Sequence, residues 1–488
     1  MNPSRPPDGR RLDGPIRRLS LAPIEPTAKA IPASGFTYRR RTAPIRTKRR
    51  WGRWIAIAIV SLVVLAGLYI GVKTLLAASR MITSGGKGAP ALDGSIDPSK
   101  LNGAGDGRVN ILLLGIGGDG HDGGNLSDTI MVMSIDPQTK DVAMLSIPRD
   151  LYVKIPGYGY GKINSANAQG GPALAEKVVS KVLDIPIHYY MQVDFSGFKQ
   201  AVDAVGGVDI NVPTALRDPA YPCETGYKYC PYYQPAGQIH MSGLSALRYA
   251  RCRHGNCGDD IGRAARQQVV IAALRVKALS IGTLTNPLKL GGLIDALGGH
   301  VKTDLQLNDM KKLAVIAKDV DPTKIVNKVP QFSGPDAILT TITNNAGDVL
   351  VPKAGEFDYS DLQNLAHSIF VDHYITTENA AIQIQNGSGV TGLAGKIVTS
   401  MKATHYNLMD PVTAAQNYKQ TYIYDYSNGK KPYTVNYLQQ LFGVKAQKGS
   451  LTPTPAASQP ADSTGQKPDI VIILGSDYAS TVNTTPNR

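Results

Sequence analysis

The chain has 488 residues, 42% of them apolar, enough to bury the cores of two or three domains and too many for a disordered chain. Its formal charge is +14, but residues 1–53 hold fourteen Lys or Arg against three acids, so residues 54–488 carry only +3. A folded body with so little surplus charge lacks the electrostatic footprint of a nucleic-acid binder, and no nucleic-acid partner is expected.

Residues 1–53, rich in Pro and Arg with few large apolar side chains, read as a disordered basic tail. Trp54–Val72 (WIAIAIVSLVVLAGLYIGV) contains no charge, and as a helix it spans about 28 Å, close to a bilayer's hydrocarbon core. Arg49, Arg50 and Arg53 precede it, while only Lys73 and Arg80 follow closely. The positive-inside rule then keeps the tail in the cytoplasm and exports everything after the span. A leader as long as 1–53 does not suit a cleaved signal peptide, so a single-pass anchor over 54–76 is expected. Residues 77–107, rich in Gly, Ser and Pro, read as a stalk.

Order is expected from Val109. VNILLLG reads as a buried strand ending at Gly115, Thr129–Asp136 as a second and Val142–Pro148 as a third. Gly171–Leu183 has helical periodicity, His188–Asp194 is a strand, Phe195–Val205 a helix, and GGVDINV a strand. Helices follow over Met241–Tyr249, Gly262–Leu279 and Leu307–Lys318. Strands alternating with helices predict a three-layer α/β/α body with a mixed central sheet over 108–371. A smaller α/β unit is expected over 380–478: a strand at AAIQIQ, a helix, a strand over Gln420–Tyr426, a helix over Pro432–Leu441, and a strand over Asp469–Gly475. The Ser/Thr/Pro/Ala-rich run 450–466 interrupts it as a flexible insertion.

All four cysteines lie in the exported part, where disulfides are the default: Cys223, Cys230, Cys252 and Cys257. Three pairings are open. Local pairing, Cys223–Cys230 and Cys252–Cys257, is preferred because each link staples a short loop. Zinc is the rival, without a C-x-x-C to support it.

Two stretches carry chemistry. Arg248–Gln268, RYARCRHGNCGDDIGRAARQQ, gathers Arg248, Arg251, Arg253, Arg263 and Arg266 with Asp259 and Asp260. Arginine's planar fork matches phosphate oxygens two at a time. These arginines flank turn residues and do not follow one helical stripe, so a solvated helix face is the weaker account. SIPRD, Ser146–Asp150, ends an apolar run with Arg149. Together the two stretches predict a pocket for a multiply charged phosphate. The loop GIGGDG after the first strand matches G-x-G-x-x-G, but only His121–Thr129 separates it from the next strand, leaving no room for the helix a dinucleotide fold needs. What that region offers is carboxylates, Asp119, Asp122 and Asp128, hard oxygen ligands suited to Mg²⁺, with turn capping as the bland alternative.

The strings NILLLG, SDTIMV, LSIPRD, KINSANAQGG, VDFSGF, AVGGVDINV, MSGLSALRYAR and IGRAARQQ occur in that order from about Val109 to Ile281. Together they resemble the LytR–CpsA–Psr family of cell-envelope enzymes. IQNGSGVTGLAG and DIVIILGSDY, within Ala380–Tyr478, are similar to the small C-terminal domain often fused to such proteins. The resemblance implies a membrane-anchored extracytoplasmic phosphotransferase, moving a glycopolymer from a polyprenyl pyrophosphate carrier onto peptidoglycan through a phosphodiester. It implies that Asp128 ligates Mg²⁺ and that Arg149 holds the pyrophosphate. Arg251, Arg253, Arg263, Arg266 and Gln267 would grip the phosphates from the far side. Asp260 would orient these arginines or help the proton leave, and Lys162 and Asn164 sit where the family keeps structural or phosphate-proximal groups. One departure stands out. Where many members place a metal-binding Asp two residues after the first strand's glycine, this chain has Gly117, and Asp119 or Asp122 is the substitute expected. Catalysis is thus assigned to Arg149, Asp260 and Arg263. The rival functions are hydrolysis of the same carrier, an envelope-associated regulator, and a wall-binding protein without catalysis.

Overall fold

The computed structural model describes residues 82–483 except 84–85, 87, 95, 102–104, 122, 224–227, 281–296, 403–404 and 450–464. Among the described residues no helix is long and apolar enough to cross a membrane, and the span expected over 54–76 lies outside them.

The first half is built on a mixed sheet. Its early strands are β1 (Val109–Ile116), β2 (Ser127–Ile135) and β3 (Val142–Ser146), joined by antiparallel pairing. A hairpin follows, β4 (Tyr152–Ile155) and β5 (Gly159–Lys162), then α1 (Ser165–Leu183), β6 (Tyr189–Asp194) and α2 (Phe195–Ala204). Strands β7 (Val208–Val212), β8 (Leu216–Asp218), β9 (Tyr232–Gln234) and β10 (Gly237–Met241) lead to α3 (Gly243–Arg251) and α4 (Asp259–Ser280). Next come β11 (Val301–Thr303), α5 (Leu307–Asp319), β12 (Val326–Lys328), the hairpin β13 (Leu339–Asn344) and β14 (Gly347–Pro352), α6 (Ser360–Ile369) and α7 (His373–Glu378). The central sheet runs β11-β6-β1-β2-β3-β12, with β6 parallel to β1 and β12 parallel to β3.

Both faces of this sheet are covered, which is why β1 shows an unbroken apolar run and no alternation. Ile111 and Leu113 face one cluster, with Ile316 of α5. Leu112 and Leu114 face the other, with Val178, Val179 and Val182 of α1 and Leu362 and Ala366 of α6. The sequence places the first helix from Gly171, and the structure shows why: the helix begins at Ser165 but breaks at Gly170 and Gly171, where Gly171 has φ 71° and ψ −175°. Only glycine adopts that conformation at little cost, and Pro172 then opens a fresh helical turn. The three small hairpins were not visible in the sequence pattern, since each strand is six residues or fewer.

The second sheet comprises β15 (Ala381–Asn386), β16 (Asn407–Leu408), β17 (Val412–Thr413), β18 (Tyr422–Asp425), β19 (Ala446–Lys448) and β20 (Ile470–Leu474), in the order β16-β15-β20-β18-β19 with β17 beside β15. Helices α8 (Leu393–Met401), α9 (Pro432–Phe442) and α10 (Ser476–Asn483) accompany it. Its inner residues Ile382, Ile423, Ile470 and Ile472 share one hydrophobic cluster with Val109, Ile111 and Tyr189 of the first sheet. Of the segment 77–107 expected as a stalk, Ala89, Ala91, Leu92, Ile96 and Leu101 are buried in this cluster.

Candidate phosphate-binding site

The sheet delivers the site's parts from three directions. The start of β2 carries Asp128, the chain just past β3 carries Arg149 and Asp150, and the first turns of α4 carry Asp260, Arg263 and Gln267. Asp128, Ser146, Arg149, Asp260, Arg263 and Gln267 line one pocket, closed on the apolar side by Ile130, Ile147, Val329 and Phe332. α4 meets it with the side face of its first turns, through Asp260, Arg263, Ala264 and Gln267.

The charged groups interlock. Arg149 Nη1 lies 2.5 Å from Asp128 Oδ1, and Arg149 Nε lies 3.5 Å from Asp150 Oδ2. Lys162 Nζ sits 2.8 Å from Asp150 Oδ1. Arg253 Nε and Arg263 Nη1 each lie 3.1 Å from the same oxygen, Asp260 Oδ1. Arg263 Nη2 donates to the Asp128 carbonyl at 3.3 Å, joining α4 to β2. Burial works against the Arg149 charge, but Asp128, Asp150 and Asp260 outweigh it and raise its pKa above the ordinary value. At Arg263 burial prevails and lowers the pKa; Arg149 and Arg253 push the same way, and Asp260 and Asp128 offset them only in part. Arg263 is therefore a buried cation whose pairing with Asp260 does not fully offset the cost of its burial. Arg149 Nε also makes no hydrogen bond despite its burial.

The other expected residues take different places. All three guanidinium nitrogens of Arg266 donate to backbone carbonyls: Nε to Tyr249 at 3.0 Å, Nη1 to Cys257 at 2.6 Å, and Nη2 to Cys252. Arg266 is buried beneath the loop and does not line the pocket. Arg251 stacks on Phe195 at 4.3 Å and on Tyr221 at 5.5 Å. Asn164 acts through its backbone, its N–H bonding the Arg149 carbonyl at 3.2 Å and its carbonyl accepting from the Ser127 N–H at 3.2 Å. Asp119 is exposed on the loop after β1 and is not part of the pocket lining; Asp122 lies outside the described residues.

The cysteines pair locally, Cys223–Cys230 and Cys252–Cys257. Asp218 approaches Cys252 and Cys257, but with these sulfurs joined to each other neither remains as a thiolate ligand for zinc. Asp218 instead accepts from the N–H groups of Ala220, Arg253 and His254 at 2.9–3.1 Å. The disulfide and this carboxylate together fix the loop that presents Arg253. Val329 and Phe332 follow β12, far along the chain, and no local pattern marks them. Gln268 was only the last letter of a motif, yet its Nε2 bridges Ser146 Oγ at 3.0 Å and the Lys328 carbonyl at 3.2 Å beneath the pocket.

A family model described as LytR_cpsA_psr matches residues 69–360, and one described as LytR cell envelope-related transcriptional attenuator matches 379–478. The chain is 40% identical over 212 residues to the polyisoprenyl-teichoic acid–peptidoglycan teichoic acid transferase TagU of Oceanobacillus iheyensis, a stretch covering 42% of this chain and 61% of that protein. It is 38% identical over 248 residues to the protein of the same name from Bacillus cereus strain AH820, covering 48% of this chain and 77% of that one. The crystal structure of B. subtilis TagV aligns over 54% of this chain and 97% of its own, at 27% identity and a TM-score of 0.43.

Proposed function

Because the chain belongs to the LytR_cpsA_psr family, whose model covers residues 69–360, we propose that it is a membrane-anchored phosphotransferase that moves a glycopolymer from a polyprenyl pyrophosphate carrier onto peptidoglycan. The observation that carries this reading is the meeting of Arg149, Arg253 and Arg263, from segments about a hundred residues apart in sequence, around Asp128 and Asp260. Phosphoryl transfer asks a protein mainly for positioning and charge neutralisation, and the pocket is built of those.

In the proposed reaction, an acceptor sugar hydroxyl of peptidoglycan attacks the glycan-bearing phosphorus. A new P–O bond forms, the bond to the bridging oxygen breaks, polyprenyl phosphate leaves with the electron pair, and the proton of the attacking hydroxyl passes to the departing phosphate or to water. Arg149, from the chain past β3, and Arg263, from α4, contact the two phosphates, and Asp260, sharing one oxygen between Arg253 and Arg263, keeps both guanidinium groups oriented.

Magnesium belongs to this proposal. Arg149, Arg253, Arg263 and Lys162 stand against Asp128, Asp150 and Asp260 in the ion pairs, a surplus of one positive charge. A bound pyrophosphate diester brings about two negative charges and turns that surplus into a deficit of one, which a divalent cation would return to a surplus of one. The half-exposed Asp128 carboxylate is the pocket oxygen donor that fits it, with Asp119 on the neighbouring loop as the candidate second ligand. Bound there, the ion would neutralise charge on the phosphates.

The test uses the full chain in lipid vesicles with a lipid-pyrophosphate-linked saccharide, with and without peptidoglycan fragments. Product should appear as a phosphodiester only when the fragments are present; release of free saccharide phosphate regardless of acceptor would establish hydrolysis instead. Arg263→Ala should lower transfer by about 100-fold or more with the thermal midpoint kept. Wild-type rates in that variant would remove Arg263 from the mechanism.

A further inference from the structure

The hairpin β4–β5 springs from the pocket, and the chemistry of its outer face is unused by the reaction just described. Register places Tyr152 opposite Lys162 and Lys154 opposite Tyr160, so these four residues share one face. Val153 and Ile155 point the other way, into the core. At the hairpin's base Lys162 pairs with Asp150, next to Arg149. Two residues outward, about 7 Å along the strand, stands Tyr160. Its ring stacks with Tyr152, centroids 6.1 Å apart and 30° between planes, and lies 4.8 Å from Phe357. Phe357 also meets Tyr152 at 6.0 Å, so three rings form one wall. Tyr160 remains 51% exposed and Tyr158, at the hairpin tip, 55%.

We propose that this wall, Tyr152, Tyr160 and Phe357 with Lys154 and Lys162 at its edges, is the subsite that holds the sugar rings of the acceptor glycan. The inference rests on the phosphotransferase reading and names where its second substrate lies. A pyranose ring presents a face of weakly positive C–H groups, which an aromatic face, negative at its centre, attracts. Tyrosine suits the task because its rim stays wet while its ring excludes water. The lysines offer donors to hydroxyl, amide or carboxylate groups that project from the sugar edges. At its base the wall meets the pocket's ion pairs, Lys162 to Asp150 and Asp150 to Arg149, so a glycan lying along it brings its hydroxyls toward the phosphorus. A lipid surface is the competing partner for exposed tyrosines. It is disfavoured here because the Tyr152, Tyr160 and Phe357 rings stack against one another, and because the exposed apolar side chains of the hairpin are tyrosines alone.

The experiment measures binding apart from turnover. An N-acetylglucosamine tetramer is titrated into the full chain in detergent by calorimetry, with Tyr160→Ala and Tyr160→Trp compared. The wild type should bind; Tyr160→Ala should bind about tenfold more weakly, the loss of one stacking contact, and Tyr160→Trp should bind at least as well. Affinity for a lipid-pyrophosphate analogue and the thermal midpoint should be unchanged in both. Equal tetramer binding by Tyr160→Ala and wild type, or none by wild type, overturns the subsite. So does a Tyr160→Ala protein that loses adsorption to anionic vesicles while its tetramer binding is intact. Tyr160-dependent tetramer binding by a wild-type chain that transfers nothing would uphold the subsite and sink the phosphotransferase reading alone.

Discussion

Two arginines three residues apart on α4 have opposite fates. Arg263 reaches the pocket and pairs with Asp260; Arg266 turns the other way and satisfies the carbonyls of Tyr249, Cys252 and Cys257. Composition and spacing cannot distinguish them, because both are guanidinium groups in one motif, and their roles depend on which backbone comes to lie beneath the helix. The difference is measurable. Arg266→Ala leaves three carbonyls without their donor and should cost about 3 kcal/mol or more of stability, seen as a marked fall in the denaturant midpoint. Arg263→Ala removes a cation whose burial offsets its ion pair with Asp260, so it should change that midpoint far less while transfer collapses. If both variants unfold at the same denaturant concentration, the division of roles is mistaken.

At the scale of elements, periodicity found the long strands and helices because each buries a continuous face. It missed the β4–β5 hairpin, whose strands are four residues each, although that hairpin carries Lys162 and the aromatic wall. Glycines show how backbone conformation outranks space. Neither Gly171 nor Gly395 has an atom within 4 Å of where a Cβ would stand. Gly171 has φ 71° and ψ −175° at the break in α1, so Gly171→Ala should cost about 1–3 kcal/mol through strain alone. Gly395 lies inside α8, and Gly395→Ala should gain about 0.5–1 kcal/mol by restricting the unfolded chain. Thermal or urea denaturation of the two variants checks the opposite signs.

At the scale of the whole molecule, the C-terminal sheet is joined to the first through a buried polar junction. Asp372 Oδ2 accepts from Tyr437 Oη on α9 at 2.7 Å and from the Gly107 N–H at 3.2 Å. Arg108, buried nearby, donates to the Ser134 hydroxyl and to the Val371 carbonyl. Burial pushes the Asp372 pKa above the ordinary carboxylate value, although Tyr437 and three backbone N–H groups pull it down. A raised pKa means that the protonated form suits the fold. Its contribution to stability is complete below the unfolded value, about 3.9, and is lost as pH rises through the folded value. The stability of wild type relative to Asp372→Asn should therefore decline as pH increases from about 4 and level off once the folded group has titrated. Tyr437→Phe, which removes a hydrogen bond to the carboxylate, should leave the onset of that decline at about pH 4 and move its levelling-off to higher pH. A difference between wild type and Asp372→Asn that is flat with pH would show that Asp372 carries the same charge folded and unfolded.

The amino-acid sequence by itself determined the family, the two α/β units, the order of the main strands and the residue types of the candidate phosphate pocket. Those follow from local periodicity and from motifs whose letters lie side by side. Which arginines line the candidate pocket, how Val329 and Phe332 close it, where the aromatic wall stands, and how Ala89–Leu101 and the second sheet share the first sheet's core were decided only by tertiary structure. These are contacts between residues distant in the chain, and a side chain's direction there depends on packing that no local pattern records.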